Sequence, residues 1–105
     1  MSERHRLPNS KNCFACGVDN AIGLKLVLAA DGPGGVVGEY SVPRHFEGYP
    51  GVVHGGIVTT LLDEALSRAF MLEDPKRLMY TAKLTTRFRQ HVPVEQPLTL
   101  RSWPI

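Results

Sequence analysis

The sequence predicts an α+β domain in which one buried helix packs on an antiparallel sheet. Three observations predict it. Two alternating apolar runs flank the turn DGPGG, an amphipathic stripe at helical spacing covers residues 55–72, and two more alternating runs follow. The order is strand, strand, helix, strand, strand. A chain of 105 residues makes one domain with a core and little to spare.

Each element has its own justification. Residues 1–12, MSERHRLPNSKN, are polar, read as a mobile arm, and lack the apolar core of a signal peptide. The domain proper is residues 13–105. From Leu24, LKLVLAA alternates as a strand does and breaks at DGPGG, a strong turn signal. VVGEYSV, residues 36–42, alternates again, pairs with the first run as a hairpin and stops at Pro43. The loop RHFEGYPGVVHGG is dense in aromatic, His and Gly residues, and loops of this length in small domains are often functional.

The helix follows, over about residues 55–72. Its apolar residues fall in pairs four apart: Ile57 and Val58, Leu61 and Leu62, Ala65 and Leu66, Ala69 and Phe70. That spacing gives a stripe wide enough for burial, with Thr59, Thr60, Asp63, Glu64 and Ser67 on the other side. EDPKR ends the helix, with Pro75 as the stop. A strand is expected over residues 79–92. Tyr80, Ala82, Leu84, Thr86 and Phe88 would lie on the helix, and Thr81, Lys83, Thr85, Arg87, Arg89 and His91 would face away. After the turn from Pro93 to Pro97, LTLRSW begins another strand.

Composition narrows the function classes. The chain is 43% hydrophobic and 21% charged, as in ordinary soluble domains. A formal net charge of +2 is too small to argue for nucleic acid or a membrane surface as partner. No stretch approaches the roughly 20 apolar residues that span a bilayer. A cytoplasmic protein is the expectation. Cys13 and Cys16 form a lone Cys-x-x-Cys, a pattern used in zinc sites and redox pairs. Zinc needs about four ligands, and no second Cys-x-x-Cys or His-x-x-x-His follows. A redox pair needs a strand before it and a helix after it, whereas Gly17, Asn20 and Gly23 read as loop. A buried or loop-bracing role is expected, with no metal.

The stretch GVVHGGIVTTLLDEA, residues 51–65, carries the chemistry. A helix N-terminus presents unpaired backbone N–H groups and the positive end of the helix dipole. Gly55 and Gly56 there let a substrate oxygen approach the backbone and be polarised, as in an oxyanion hole. Asp63 is too far along the same helix to share that carbonyl, but a two-fold dimer brings one copy's Asp63 to the other's glycine turn. An acid so placed activates water or attacks directly. The competing reading makes His54 a cap, the glycines a turn and Asp63–Glu64 a solvated pair. Both readings are open on spacing alone. His-Glu-x-x-His, Gly-x-Ser-x-Gly and the common Gly-rich phosphate loops are missing from the sequence.

CFACGVDNAIGLKL, FEGYPGVVHGGIVTTLLDEA and MYTAKLTTRFRQHVP together resemble acyl-CoA thioesterases of the hotdog fold, in the phenylacetate-type branch. The likeness runs from about Asn12 to Trp103. The most specific part is His-Gly-Gly with Asp63 nine residues after His54, joined to a Thr-rich strand that ends in a basic residue and proline. The resemblance implies that Asp63 is the general base or nucleophile and that the Gly55 N–H polarises the thioester carbonyl. It implies that His54 lines the site, that Thr81 orients the attacking water, and that Gly56, Arg87 and Arg89 contact substrate. Glu64 receives no role from it.

It also implies hydrolysis of a coenzyme A thioester to an acid and free coenzyme A. Coenzyme A is then part of the substrate and no separate cofactor is needed. The expected assembly is a homodimer or a dimer of dimers with sites at the interface. Similar proteins continue past RSWPI, so the expectation is a hotdog domain without its last strands, one of them central to the sheet. An empty central slot exposes unpaired backbone, which makes a non-catalytic acyl-CoA-binding or assembly module the alternative to the enzyme. A hotdog dehydratase fits less well, because His54 has no convincing acid–base partner.

Overall fold

The structure is a computed structural model, and it describes residues 10–74, 76, 77 and 79–105. Residues 1–9 of the expected arm and the expected helix stop, Pro75, lie outside the described residues. Strands β1 (Ala29–Asp31), β2 (Gly35–Ser41) and β3 (Pro97–Ser102) form one antiparallel sheet in the order β1-β2-β3. Helix α1 (Gly55–Ala69) packs on β2 and β3. No helix among the described residues is long and apolar enough to cross a membrane.

The hairpin forms where the turn signal lies, with Asp31 opposite Gly35. Gly32 turns the chain at φ 73°, a left-handed conformation that side chains resist. β2 then pairs along its length with β3, from Val36 opposite Ser102 to Ser41 opposite Pro97. The Ser102 hydroxyl donates to the Ala65 carbonyl at 2.6 Å, tying β3 to the buried side of α1.

Three elements differ from expectation. The first strand is shorter. Leu24, Leu26 and Leu28 are buried and Lys25 and Val27 exposed, so the alternation is real. However, the Leu24 and Leu26 N–H groups donate to the Phe14 and Ala15 carbonyls, both at 2.8 Å, rather than to a sheet ladder. Lys25 also sits at φ 58°, which breaks strand geometry. This segment therefore clamps the Cys13–Cys16 loop onto the core.

The helix is shorter too, ending at Ala69 rather than about residue 72, and its buried stripe is narrower. Leu61, Ala65 and Ala69 are buried together with Arg68, whereas Leu66 and Phe70 are exposed. The stripe joins Leu24, Leu26, Val36, Val42 and Val53 in the core.

The largest difference is at residues 79–92, which make no sheet ladder. The segment is held at its ends. Thr81 bonds to α1, and the Val92 carbonyl accepts from the Val53 N–H at 2.7 Å. Of the side chains expected on the helix, Leu84 and Thr86 are half-buried, but Tyr80 is 86% and Phe88 56% exposed. The period-2 pattern is a property of side chains; a strand also needs a neighbouring backbone to take its N–H and C=O groups. Among the described residues no strand lies beside this one.

Candidate active site

Among the described residues, the start of α1 leaves one backbone donor without a partner. His54 is the N-cap, and its Nδ1 accepts from the Gly56 N–H at 2.9 Å. The His54 carbonyl accepts from Ile57 at 2.9 Å and from Val58 at 3.1 Å. Three of the first four helical N–H groups are thus satisfied by His54 alone. The Gly55 N–H is left, exposed, at the positive end of the helix dipole. A Cβ on Gly55 would meet only the Phe88 ring, at 3.8 Å, so the side of this residue where a side chain would stand is uncrowded. His54, Gly55, Val58, Phe88 and His91 help line a cleft of about 490 Å³ beside it. His54 is therefore both a cap and a wall of this cleft, and Gly56 is a capped position rather than a donor aimed at a ligand.

The second half of the predicted constellation lies farther along α1. Asp63 is half-buried and its Oδ1 accepts from the Thr81 hydroxyl at 2.5 Å. Thr81 was expected to face away from the helix; the structure instead joins it directly to the acid. These two residues line another cleft, of about 430 Å³, with Leu66, Phe70, Met79 and Tyr80 supplying apolar walls. The exposure of Leu66 and Phe70 now has a reason: they border this cleft. Eight residues of helix separate Gly55 from Asp63, a rise of about 12 Å. The two clefts are separate, and one carbonyl group cannot reach both the Gly55 N–H and Asp63 within a single copy. Arg87 and Arg89 are exposed on the intervening segment and join neither Asp63 nor Gly55.

A third polar group was not expected to matter. Arg68 is 6% exposed, and its Nε donates to Glu64 Oε2 at 3.1 Å while Nη2 donates to Cys16 Sγ at 2.9 Å. Burial works against its charge, but the hydrogen bonds and the attraction of Cys16 and Glu64 prevail and raise its pKa. Burial, reinforced by Glu64, pushes the Cys16 thiol up to about 12. Cys13 Sγ lies 4.0 Å from Glu64 Oε1. A sequence signal for this group does exist. Arg68 falls on the buried stripe, seven residues after Leu61, and a cation there requires an anion at i−4, which Glu64 provides.

Comparison with known proteins identifies the family and the fold. Residues 50–105, just over half of the chain, match the family described as the thioesterase superfamily. A crystal structure of a thioesterase superfamily protein superposes with a TM-score of 0.78 at 33% identity. That match covers 87% of this chain and 44% of the other, so the chain spans less than half the length of that relative. Among curated proteins no significant match is found.

Proposed function

The chain belongs to the thioesterase superfamily and has its hotdog-like fold, and we propose that it hydrolyses a coenzyme A thioester to a carboxylic acid and free coenzyme A. The observation that carries the reading is the arrangement of α1: an unpartnered Gly55 N–H at its start and an acid fixed by Thr81 about two turns on. In this reading two copies associate so that the Gly55 end of one meets the Asp63 end of the other. The assembly is a homodimer or a dimer of such dimers, working in the cytoplasm without a resident cofactor.

The chemistry then assigns each group a step. The Thr81 hydroxyl spends its proton on Oδ1, which fixes the carboxylate and leaves Oδ2 as the base. Asp63 takes a proton from water as the oxygen attacks the thioester carbonyl. The carbonyl oxygen gains negative charge, which the Gly55 N–H and the helix dipole stabilise more than they stabilised the neutral ground state. The C–S bond breaks and the leaving thiolate takes the proton from Asp63, which restores the carboxylate. Attack by the carboxylate itself, through an anhydride that water then hydrolyses, gives the same products. The apolar walls around Asp63 suit an acyl group, and the exposed Arg87 and Arg89 suit the phosphates of coenzyme A.

A thiol-release assay across short, long and aromatic acyl-CoAs tests this. Asp63→Asn is expected to lower turnover by at least about 100-fold with the helical circular dichroism unchanged. Hydrolysis at the parental rate in that variant would remove Asp63 from the mechanism.

A further inference from the structure

We propose that Cys13, Cys16 and Glu64 form a binding site for a zinc-like divalent cation, with Arg68 positioning two of its ligands. The proposal does not depend on the thioesterase reading, because none of these residues borders either cleft.

The Cys13–Cys16 loop is built to put both sulfurs on one side. The Gly17 N–H donates to the Cys13 carbonyl at 2.8 Å, and a Cβ at Gly17 would stand 2.4 Å from Cys13 N and 2.5 Å from the Lys11 carbonyl. Only glycine closes so tight a turn. The loop is clamped from behind by the bonds from Leu24 and Leu26. Its open side faces α1, where Glu64 supplies a third donor. One donor atom from each of the three residues lies within 4.8 Å of the other two. In a tetrahedral zinc site, with bonds of about 2.3 Å to sulfur and about 2.0 Å to oxygen, donor atoms stand roughly 3.5–3.8 Å apart. The Cys13–Glu64 distance of 4.0 Å is within a small side-chain adjustment of that. Water supplies the fourth ligand from the side of Cys13, which is only partly buried.

Arg68 fits the role of the outer partners that orient metal ligands. It holds Oε2 of Glu64, leaving Oε1 toward Cys13, and it donates to the Cys16 sulfur. Among the described residues its Nη1 is buried without an acceptor. A thiolate is a stronger acceptor than a thiol, so metal binding strengthens the bond from Nη2 to the Cys16 sulfur. The charges also balance. Two thiols, a carboxylate and a guanidinium are neutral together, and exchanging the two thiol protons for one divalent cation keeps the cluster neutral. The site would pin the loop to α1 at the residue next to Asp63.

Cobalt(II) is the probe. The full chain, kept reduced with a phosphine, is titrated with Co²⁺ and followed by absorption. The expected result is saturation at one equivalent, with thiolate-to-cobalt charge transfer and the visible bands of tetrahedral cobalt, both bleached by Zn²⁺. Cys13→Ser and Cys16→Ser each abolish the charge-transfer band or halve it, and Glu64→Gln weakens Co²⁺ binding about tenfold or more. No charge-transfer band in the parental chain overturns the proposal, independently of how the variants fold. So does a Glu64→Gln variant that binds as tightly as the parent.

Discussion

Asp63 and Thr81 show how a single hydrogen bond turns a helical acid into a positioned one. A carboxylate on a helix surface samples several rotamers; one whose Oδ1 is engaged by a hydroxyl from a separate segment is held in one of them. Thr81→Val keeps the shape and removes the donor. It is expected to lower kcat about tenfold with little change in KM, measured by thiol release, because the group lost acts on the base rather than on substrate affinity. An unchanged kcat would make this bond a packing detail. Single residues were unevenly legible. Asp63, Gly55 and His54 stood out through the resemblance carried by the His-Gly-Gly and Asp spacing, because spacing alone left the cap-and-turn reading equally open. That His54 caps Gly56, and so singles out Gly55 as the remaining donor, depends on a side-chain rotamer that no spacing reports.

The ion pair within helix α1 differs in kind from those on the surface. The Arg68–Glu64 pair has side chains 8% and 15% exposed, whereas Arg44 and Glu95 pair at 63% and 53%. Replacing Arg68 by Leu leaves Glu64 with an uncompensated buried charge and is expected to cost about 3 kcal/mol or more in a urea unfolding experiment. Arg44→Ala is expected to cost no more than about 0.5 kcal/mol, since an exposed pair gains little over its hydrated ions. Equal costs would contradict the assignment of Arg68 to the core. At this scale the sequence was a good guide to the β1–β2 hairpin and to the existence of α1, where local turn and periodicity signals agree. It was a poorer guide to Leu24–Leu28 and to residues 79–92. Both alternate correctly, yet whether an alternating segment joins a ladder depends on which backbone lies beside it, and among the described residues that is the Cys13–Cys16 loop in one case and no strand in the other.

At the scale of the whole molecule, Gly55 and Asp63 border two separate clefts among the described residues. The donor at Gly55 and the acid at Asp63 are fixed about two turns apart on one helix, so no loop movement within one copy brings them together. The account therefore stands or falls on the claim that two copies share each site. Complementation between two inactive variants tests it most directly. One variant is Asp63→Asn. The other is Gly55→Pro, which removes the critical N–H at a helical position that tolerates proline. His54, at φ −57° and ψ 135°, already has the extended conformation required ahead of a proline. Co-expressed, the chains pair at random, and each mixed dimer carries one site with both wild-type groups. The account predicts that acyl-CoA hydrolysis, lost in either variant alone, returns to about one quarter of the parental activity in the mixture. A mixture that forms mixed dimers but stays as inactive as its components would contradict it.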